Sequence, residues 1–316
     1  MDISSWSTPL SYIGLAALAY KTIHFARQAT PFLLPTTLTR RYNRSGTNWA
    51  LVTGATDGIG FGFCEELCAR GFNVILHGRN RTKLERRASE LNKRFPTRKT
   101  DIIVLDVINL TSTVDGVADV VSAILATHGG QLTVLVNNVG GDGRPSGTLD
   151  NCSFEVVQAT IAKNATFIAQ ITRVLLPLLA EGDPSVVLNI SSVAAWGLPY
   201  VTTYAATKGF VDTFTLALQA ECDAERRGVE VLGLRVGQVS TPGFPIALGW
   251  FVPTPRVMAQ AGLNRIGCGQ AIVYGYFWHW VQGLAFEILP RWALNKATTA
   301  NIKAMKFPDE EKVKKR

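Results

Sequence analysis

Charged residues are scarce in this sequence. Only 18% of the 316 residues are Asp, Glu, Lys or Arg, whereas 47% are hydrophobic, so both a large core and membrane contact are expected. The net charge of +8 is partly placed near the two ends, in Arg40, Arg41, Arg44, Lys312, Lys314, Lys315 and Arg316. No basic stretch is interleaved with aromatic residues as in an RNA-binding platform. The sequence therefore predicts no nucleic-acid partner and favours an anionic membrane surface or a sorting receptor.

Cysteines are few and scattered. Five are present, an odd number, and the closest pair, Cys64 and Cys68, lies four residues apart in a predicted helix with no histidine nearby. This spacing favours buried free thiols over a metal site or a disulfide framework, so no metal is predicted. A reducing, cytosol-facing environment follows.

Residues 1–46 have no apolar run of the about 20 residues that a membrane-spanning helix needs. The stretch from Leu10 to Tyr20 is apolar apart from Ser11, but Lys21 interrupts it, and no clear small-residue cleavage site follows. An interfacial helix, a short anchor, a signal-like segment and a helix packed on the domain all fit the pattern. We predict an N-terminal hydrophobic anchor and linker, with the following arginines keeping the bulk of the chain in the cytosol.

Residues 47–245 alternate short apolar runs with helical segments. This alternation predicts a doubly wound parallel sheet of the Rossmann type, covered by helices on both faces. The predicted strands are Trp49–Thr53, Val74–His77, Ile102–Leu105, Leu132–Val136, Ser185–Ile190 and Glu230–Leu234. The predicted helices are Gly60–Arg70, Lys83–Arg94, Val114–Thr127, Phe154–Leu179 and Tyr204–Glu225.

Residues 246–300 break this alternation and are rich in aromatic residues and glycine. Ala271–Leu289 has no charged residue except Glu287, and its two glycines argue against a straight spanning helix. We predict an apolar substrate cap or a membrane-contacting region, followed by a basic tail at residues 301–316.

A glycine-rich turn follows the first predicted strand. Its sequence is Thr53-Gly-Ala-Thr-Asp-Gly-Ile-Gly60. Glycines at this point allow a tight turn and a close approach of the backbone to a pyrophosphate, which the N-terminus of the next helix binds through its free N–H groups. The predicted cofactor-binding residues of the turn are Gly54, Thr56, Asp57, Gly58, Ile59 and Gly60.

No acidic residue follows the second predicted strand, where one would bind the ribose hydroxyls of NAD. Arg79 lies there instead and is able to pair with a 2′-phosphate, which favours NADPH over NADH. Asp106, after strand three, is predicted to bind the adenine amino group or to form a turn. Asn137 and Asn138 end strand four, where their backbone groups would lie beside the cofactor.

A Tyr-x-x-x-Lys pattern opens the last predicted helix of this region. Tyr204 and Lys208 lie one turn apart on one face, so the ammonium would favour the phenolate and lower the pKa of the tyrosine. Such a phenol is a usable proton donor or acceptor. A serine pair, Ser191 and Ser192, ends strand five and offers a hydroxyl for a substrate oxygen. Asn164, a polar residue within an apolar helix, is predicted to take part in a proton relay.

In their order along the chain, these motifs resemble the short-chain dehydrogenase/reductases. The resemblance covers about residues 47–240 and rests on TGATDGIG at 53–60, NNVG at 137–140, Asn164, ISS at 190–192 and YAATK at 204–208. It is closest to the branch of 17β-hydroxysteroid dehydrogenases and very-long-chain 3-oxoacyl-CoA reductases. It implies that Tyr204 is the acid/base, that Lys208 lowers its pKa and binds the nicotinamide ribose, and that Asn164 is the relay residue.

Two positions depart from the family pattern. In the family the serine usually lies thirteen residues before the tyrosine, and Ser191 has that spacing here. Ser192 is favoured because it is the second serine of the ISS motif and because of the strand face on which it is expected. A one-residue deletion in the loop would then explain its spacing of twelve. The loop after strand six usually begins with proline, and Val236 stands there instead. Val239 and Thr241 of the family's cofactor-binding pattern remain.

We therefore predict an NADPH-dependent reductase of a ketone on a bulky apolar substrate: a 3-oxoacyl-CoA, a steroid or a secondary metabolite. The alternatives are NAD-dependent alcohol oxidation and a cofactor-binding membrane scaffold without catalysis. The resemblance implies attachment to the endoplasmic reticulum and a homodimer through the long helices after strands four and five. Lys312 and Lys314 fit a KxKxx retrieval signal to that membrane.

Overall fold

A sheet of seven parallel strands, in the order β3-β2-β1-β4-β5-β6-β7, forms the centre of the computed structural model. The structure describes residues 4–108, 114–141, 148–182 and 184–306, with side chains for those between residues 11 and 305. The strands are β1 (Trp49–Thr53), β2 (Asn73–Gly78), β3 (Thr100–Val104), β4 (Leu132–Asn137), β5 (Ser185–Ser192), β6 (Val229–Val236) and β7 (Ile272–Tyr274). The order reverses direction between β1 and β4, which is where doubly wound sheets bind their ligands.

Helices cover both faces of the sheet, as the apolar strand pattern predicts. Those in the described residues are α1 (Ser4–Leu33), α2 (Leu38–Tyr42), α3 (Gly58–Ala69), α4 (Arg81–Arg94), α5 (Val117–His128), α6 (Phe154–Ile161), α7 (Phe167–Ala180), α8 (Thr202–Ala224), α9 (Pro255–Leu263), α10 (Phe277–Ile288) and α11 (Arg291–Lys306). One apolar cluster joins the sheet to α3, α4 and α9, and a second joins it to α5, α7 and α8. The Rossmann-type prediction is confirmed.

Two local predictions were wrong. The predicted helix over residues 154–179 is two helices, because a π-helical turn at Ala162–Thr166 separates α6 from α7. The sheet also has a seventh strand, β7, which pairs with β6 inside the aromatic region. A three-residue strand carries almost no periodicity, so the sequence gives little sign of it.

Helix α1 packs its C-terminal half along α10. Phe32 contacts Phe277 edge-on at 5.5 Å between ring centroids, and Gln28 bonds both Trp280 and Glu287. His24, one turn earlier, also reaches Glu287, so α1 runs antiparallel to α10. In the part of the chain that the structure describes, no helix is both long enough and apolar enough to cross a bilayer. The KxKxx pattern at Lys312 and Lys314 lies outside the described residues.

Candidate active site

The glycine-rich turn joins β1 to α3 at the centre of the sheet. Gly54 and Gly58 have φ of +68° and +55°, which L-residues with side chains rarely adopt. A Cβ on Gly60 would collide with the carbonyl oxygen of Gly54 and lie 2.5 Å from Nδ2 of Asn138. The three glycines therefore form a backbone cradle of the kind that a pyrophosphate fills, with the first N–H groups of α3 directed into it.

Polar side chains hold this turn in place. Nδ2 of Asn138 donates to the carbonyl of Thr53 at 3.0 Å, and the Thr53 hydroxyl accepts from the backbone N–H of Asn138 at 2.9 Å. Asp57, predicted to bind the cofactor, caps α3 by accepting from the N–H of Gly58 at 2.8 Å. Thr56 lies against the end of β2, where its methyl group would be 3.0 Å from a Cβ on Gly78.

Arg87 of α4 supports the same turn and was missed by the sequence reasoning. Its guanidinium donates to the carbonyl of Thr56 at 3.1 Å, lies 3.6 Å from the carboxylate of Asp57, and covers the ring of Phe61 at 4.1 Å. The residue belongs to a highly charged helix, and nothing in the local pattern separates it from its exposed neighbours.

Arg79 lies between β2 and α4, next to the glycine-rich turn. Its side chain is exposed, and it forms no ion pair with any carboxylate of the described residues. Asn80 caps α4 by accepting from the N–H of Lys83 at 2.9 Å, so Arg79 is fixed at the carboxyl edge of the sheet. This placement leaves its guanidinium available to a phosphate.

Asp106 and Asn137 have local partners. Asp106 follows β3, and its carboxylate accepts from the N–H of Ile108 at 3.0 Å, which forms a turn. Asn137 is fully buried and donates to Thr172 at 2.9 Å and to Asn189 at 2.8 Å. The side chain of Asn137 braces β4 against β5 and α7, so a role toward the cofactor is left to its backbone groups and stays a prediction.

Lys208 is a buried cation on α8. Only 3% of the residue is exposed, and its ammonium donates to the carbonyl of Ile190 at 2.8 Å. Burial lowers its pKa from 10.5 to about 8; the nearby Asp212 opposes this shift and Lys163 adds to it. Its Nζ lies 5.6 Å from the ring centroid of Tyr204, so the predicted pair shares one site.

Asn164 lies in the π-helical turn, and its side chain points to the loop that follows β4. Oδ1 of Asn164 accepts from the N–H of Gly141 at 2.9 Å, and Nδ2 donates to the carbonyls of Gly141 and Thr160. A Cβ on Gly140 would lie 2.7 Å from Oδ1 of Asn164 and 3.3 Å from Nζ of Lys208. The amide and the ammonium therefore converge on Gly140, in the loop that follows β4.

The two serines at the end of β5 have different surroundings. Ser191 is 2% exposed and donates to the carbonyl of Lys208 at 3.3 Å, so its hydroxyl proton is used within the protein. Ser192 accepts from the N–H of Ala194 at 3.1 Å, which leaves its own hydroxyl proton available to a substrate oxygen.

Tyr204 is half-buried and borders an apolar crevice. The crevice is lined by Leu149, Cys152, Val156, Val157, Thr160, Tyr200, Val201, Thr202, Thr203 and Tyr204. Helix α11 contacts this lining at Tyr200, whose ring centroid lies 5.2 Å from the Lys303 ammonium, and its Arg291 donates to the carbonyls of Trp196 and Gly197. Tyr200 has a φ of 58°, an uncommon value for a residue other than glycine.

Asp212 and Arg235 lie behind this site and were not singled out by the sequence reasoning. One carboxylate oxygen of Asp212 accepts from Nε of Arg235 at 2.9 Å, and the guanidinium covers the ring of Trp196 at 4.9 Å. The pair connects α8 to the turn that follows Ser192.

The family model of the short chain dehydrogenases matches residues 48–245. The very-long-chain 3-oxoacyl-CoA reductase of Bos taurus is 34% identical over 248 residues, which are 77% of this chain and 76% of the relative. The human reductase of the same name is 31% identical over 264 residues, or 80% and 81% of the two chains. A short chain dehydrogenase structure from Shigella flexneri, complexed with NADP, is 25% identical with a TM-score of 0.61; the match covers 72% of this chain and 95% of that one.

Proposed function

The chain belongs to the short-chain dehydrogenase family and is an NADP-dependent ketoreductase, and we propose that it reduces a 3-oxo group on a long apolar acyl-CoA. The observation that carries the proposal is the convergence of Lys208 and Asn164 on Gly140, with Tyr204 beside the ammonium. The names of the relatives favour a 3-oxoacyl-CoA over the other two predicted classes, a steroid and a secondary metabolite.

The residues present fit the cofactor. The glycine cradle would hold the pyrophosphate of NADPH, Arg79 its 2′-phosphate, and Lys208 the nicotinamide ribose. When bound, NADPH supplies the hydride for the carbonyl carbon. Thr241 and Val239 follow β6, and the methyl group of Thr241 lies 3.3 Å from a Cβ position on Gly58, so this loop meets the cradle at the nicotinamide side.

The protein's own groups would handle the oxygen and its proton. Ser192 would donate a hydrogen bond to the substrate oxygen, and Tyr204 would protonate it as the carbonyl becomes an alcohol. Lys208 would stabilise the phenolate that remains. Asn164, bonded to the backbone of Gly141 and Thr160, would hold a water that returns the proton.

We propose that residues 246–300 form the cap over the apolar end of the substrate. Arg291 binds the turn after Ser192, and the Lys303 ammonium lies 5.2 Å from the ring centroid of Tyr200 on the crevice rim. Trp250 packs 4.9 Å from Trp278 within this region while remaining 71% exposed. An apolar surface of this kind suits an acyl chain rather than a small polar ketone.

The first prediction concerns cofactor choice. We expect Arg79→Glu to lower kcat/KM for NADPH about 100-fold, because it replaces a phosphate-binding cation with a repelling carboxylate. Turnover with NADH should change little, since NADH lacks the 2′-phosphate. Steady-state kinetics with both cofactors measure the effect.

Arg86→Glu is the matched control, because it makes the same charge change on an exposed position of α4. A wild-type enzyme that uses NADH as well as NADPH, or an Arg79→Glu variant with unchanged preference, would contradict the assignment. The NAD-dependent alternative would then stand.

We also propose that the enzyme binds the surface of the endoplasmic reticulum membrane through the part of α1 that precedes His24. Because α1 runs antiparallel to α10 and His24 contacts Glu287 near the end of α10, the preceding part of α1 projects past that end. Its apolar side chains are 60–69% exposed: Tyr12, Ile13, Leu15, Leu18, Tyr20 and Ile23. Exposed apolar side chains with aromatic neighbours are typical of a helix that lies in a membrane interface.

The second prediction tests this surface. We expect the double variant Ile13→Asp/Leu18→Asp to lose most of its binding to liposomes that contain anionic lipids, because both substitutions place charge in the apolar layer. Co-flotation with the liposomes measures binding. Val120→Asp, which adds a carboxylate at an exposed apolar position of α5, is the control and should float like the wild type. Equal flotation of all three proteins would refute the proposal.

We propose a homodimer through α7 and α8, as the resemblance implies. Exposed apolar side chains on α8 and on α6, which leads into α7, support such a contact: Phe154, Ile161, Phe210 and Leu216.

A further inference from the structure

In the short-chain dehydrogenase family, the loop after β6 usually begins with a proline, and Val236 has its place in this chain. A proline there would fix its own φ and remove a backbone donor, which stiffens a loop. Val236 neither fixes φ nor removes the donor, so other contacts must hold the loop. Its position matters because it leads to the predicted cofactor-binding residues Val239 and Thr241.

His279 of α10 provides two hydrogen bonds to this loop. Its Nδ1 accepts from the N–H of Gly237 at 3.0 Å, and its Nε2 lies 3.1 Å from the carbonyl oxygen of Gln238. One neutral tautomer, with the proton on Nε2, satisfies both bonds at once. The imidazole is fully buried, and burial lowers its pKa to about 4, so the ring is neutral near pH 7.

The glycine at position 237 permits this contact. A Cβ on Gly237 would lie 2.7 Å from Cδ2 of His279, too close for any side chain. On the other side the ring packs edge-on against Tyr276 at 5.1 Å between centroids. The imidazole is therefore fixed by its packing as well as by its hydrogen bonds.

The held segment reaches the cofactor cradle. Val239 is buried in the core that α3 shares, and Ser240 bonds the carbonyl of Ile246 at 2.7 Å. Thr241 then lies against Gly58 of the glycine-rich turn. A displacement of Gly237 would be transmitted through residues 237–241 to the glycine-rich turn.

We infer that His279 is a positioning residue for NADP(H): it takes the place of the missing proline by holding Gly237 and Gln238, and thereby sets the nicotinamide-side loop against the glycine cradle. The inference rests on the proposed function. It assigns a role to α10 that no sequence motif suggests, because the histidine lies 42 positions from the glycine it binds.

Three substitutions separate the two bonds. His279→Asn places an amide oxygen near the position of Nδ1 and keeps the acceptor for Gly237. His279→Gln reaches the position of Nε2 and keeps the donor to Gln238. His279→Phe keeps a ring of similar size and removes both bonds, which leaves a buried donor and acceptor unpaired.

The third prediction is the response of these variants. We expect His279→Phe to raise the Kd of NADP⁺ about tenfold, with the other two variants between it and the wild type. Titration calorimetry measures the Kd. In the protein without cofactor, the amides of residues 237–241 should exchange with deuterium faster in the same order, because the bond that protects Gly237 is lost.

Leu179→Ala is the control, since it truncates a buried side chain at the far end of α7 and lowers stability without touching the loop. Wild-type affinity and exchange in all His279 variants would overturn the inference while leaving the proposed function intact. An equal loss of affinity in Leu179→Ala would also overturn it, because general destabilisation would then explain the effect. A wild-type protein that binds neither NADP⁺ nor NADPH would overturn both proposals.

Discussion

Replacing Tyr204 with phenylalanine is expected to lower kcat about 1,000-fold, the loss typical of a removed general acid. The phenol is half-buried at the crevice and lies beside the Lys208 ammonium, whereas phenylalanine fills nearly the same volume without a proton to donate. The Kd of NADPH should stay within about twofold, since the glycine cradle and Arg79 are untouched. Single-turnover reduction of a long-chain 3-oxoacyl-CoA, followed by NADPH absorbance, gives the rate of the chemical step.

Tyr20→Phe serves as the matched control, because it removes the same hydroxyl from an exposed position on α1 and should leave kcat unchanged. If Tyr204→Phe retained wild-type turnover, the acid/base assignment would be wrong. If the cellular role also survived the substitution, the non-catalytic scaffold would become the better account.

Local sequence patterns predict the sheet and the cradle well. The predicted strand Trp49–Thr53 has the observed bounds, and Gly54 and Gly58 occupy the left-handed backbone conformations that their positions indicate. These features are encoded within a few neighbouring residues, by apolar runs and by glycines that alone tolerate a positive φ.

Contacts between distant segments are what the sequence did not predict. Arg87 bonds a carbonyl 31 positions away, and His279 holds a loop 42 positions away. Neither residue type nor local spacing distinguishes these side chains from others on a helix surface. The break at Ala162–Thr166 is similar, because a five-residue π-helical turn leaves each flanking helix its own apolar pattern and gives little local sign of the break.

The choice between Ser191 and Ser192 at the end of β5 could be predicted only in part from the sequence. The spacing to Tyr204 favours Ser191, but the strand alternates its side chains between faces, and Ser191 donates to the backbone of α8. The motif phase favours Ser192, whose hydroxyl proton is available in the structure. The choice of Ser192 stays a prediction, now with a physical reason in its favour.

Replacing Lys208 with methionine is expected to separate catalysis from stability. The variant loses the cation that stabilises the phenolate, so kcat/KM should fall about 100- to 1,000-fold. The unfolding free energy at pH 7 should change by no more than about 2 kcal/mol, because removing a buried charge offsets the loss of the bond to the Ile190 carbonyl. Lys93→Met, which removes an exposed ammonium from α4, is the control for a lysine outside the buried site.

The pH dependence of the unfolding free energy tests whether the pKa of Lys208 is lowered in the folded protein. The folded protein releases the Lys208 proton near pH 8 and the unfolded chain near 10.5, so between these values the unfolded state binds more protons. The unfolding free energy of the wild type should therefore rise relative to Lys208→Met as the pH increases from 8 to 10.5, by on the order of 3 kcal/mol. Urea unfolding of both proteins across this range measures the difference. A constant difference would mean that the folded and unfolded states hold the Lys208 proton equally, and the claim that burial lowers the pKa of Lys208 would be wrong.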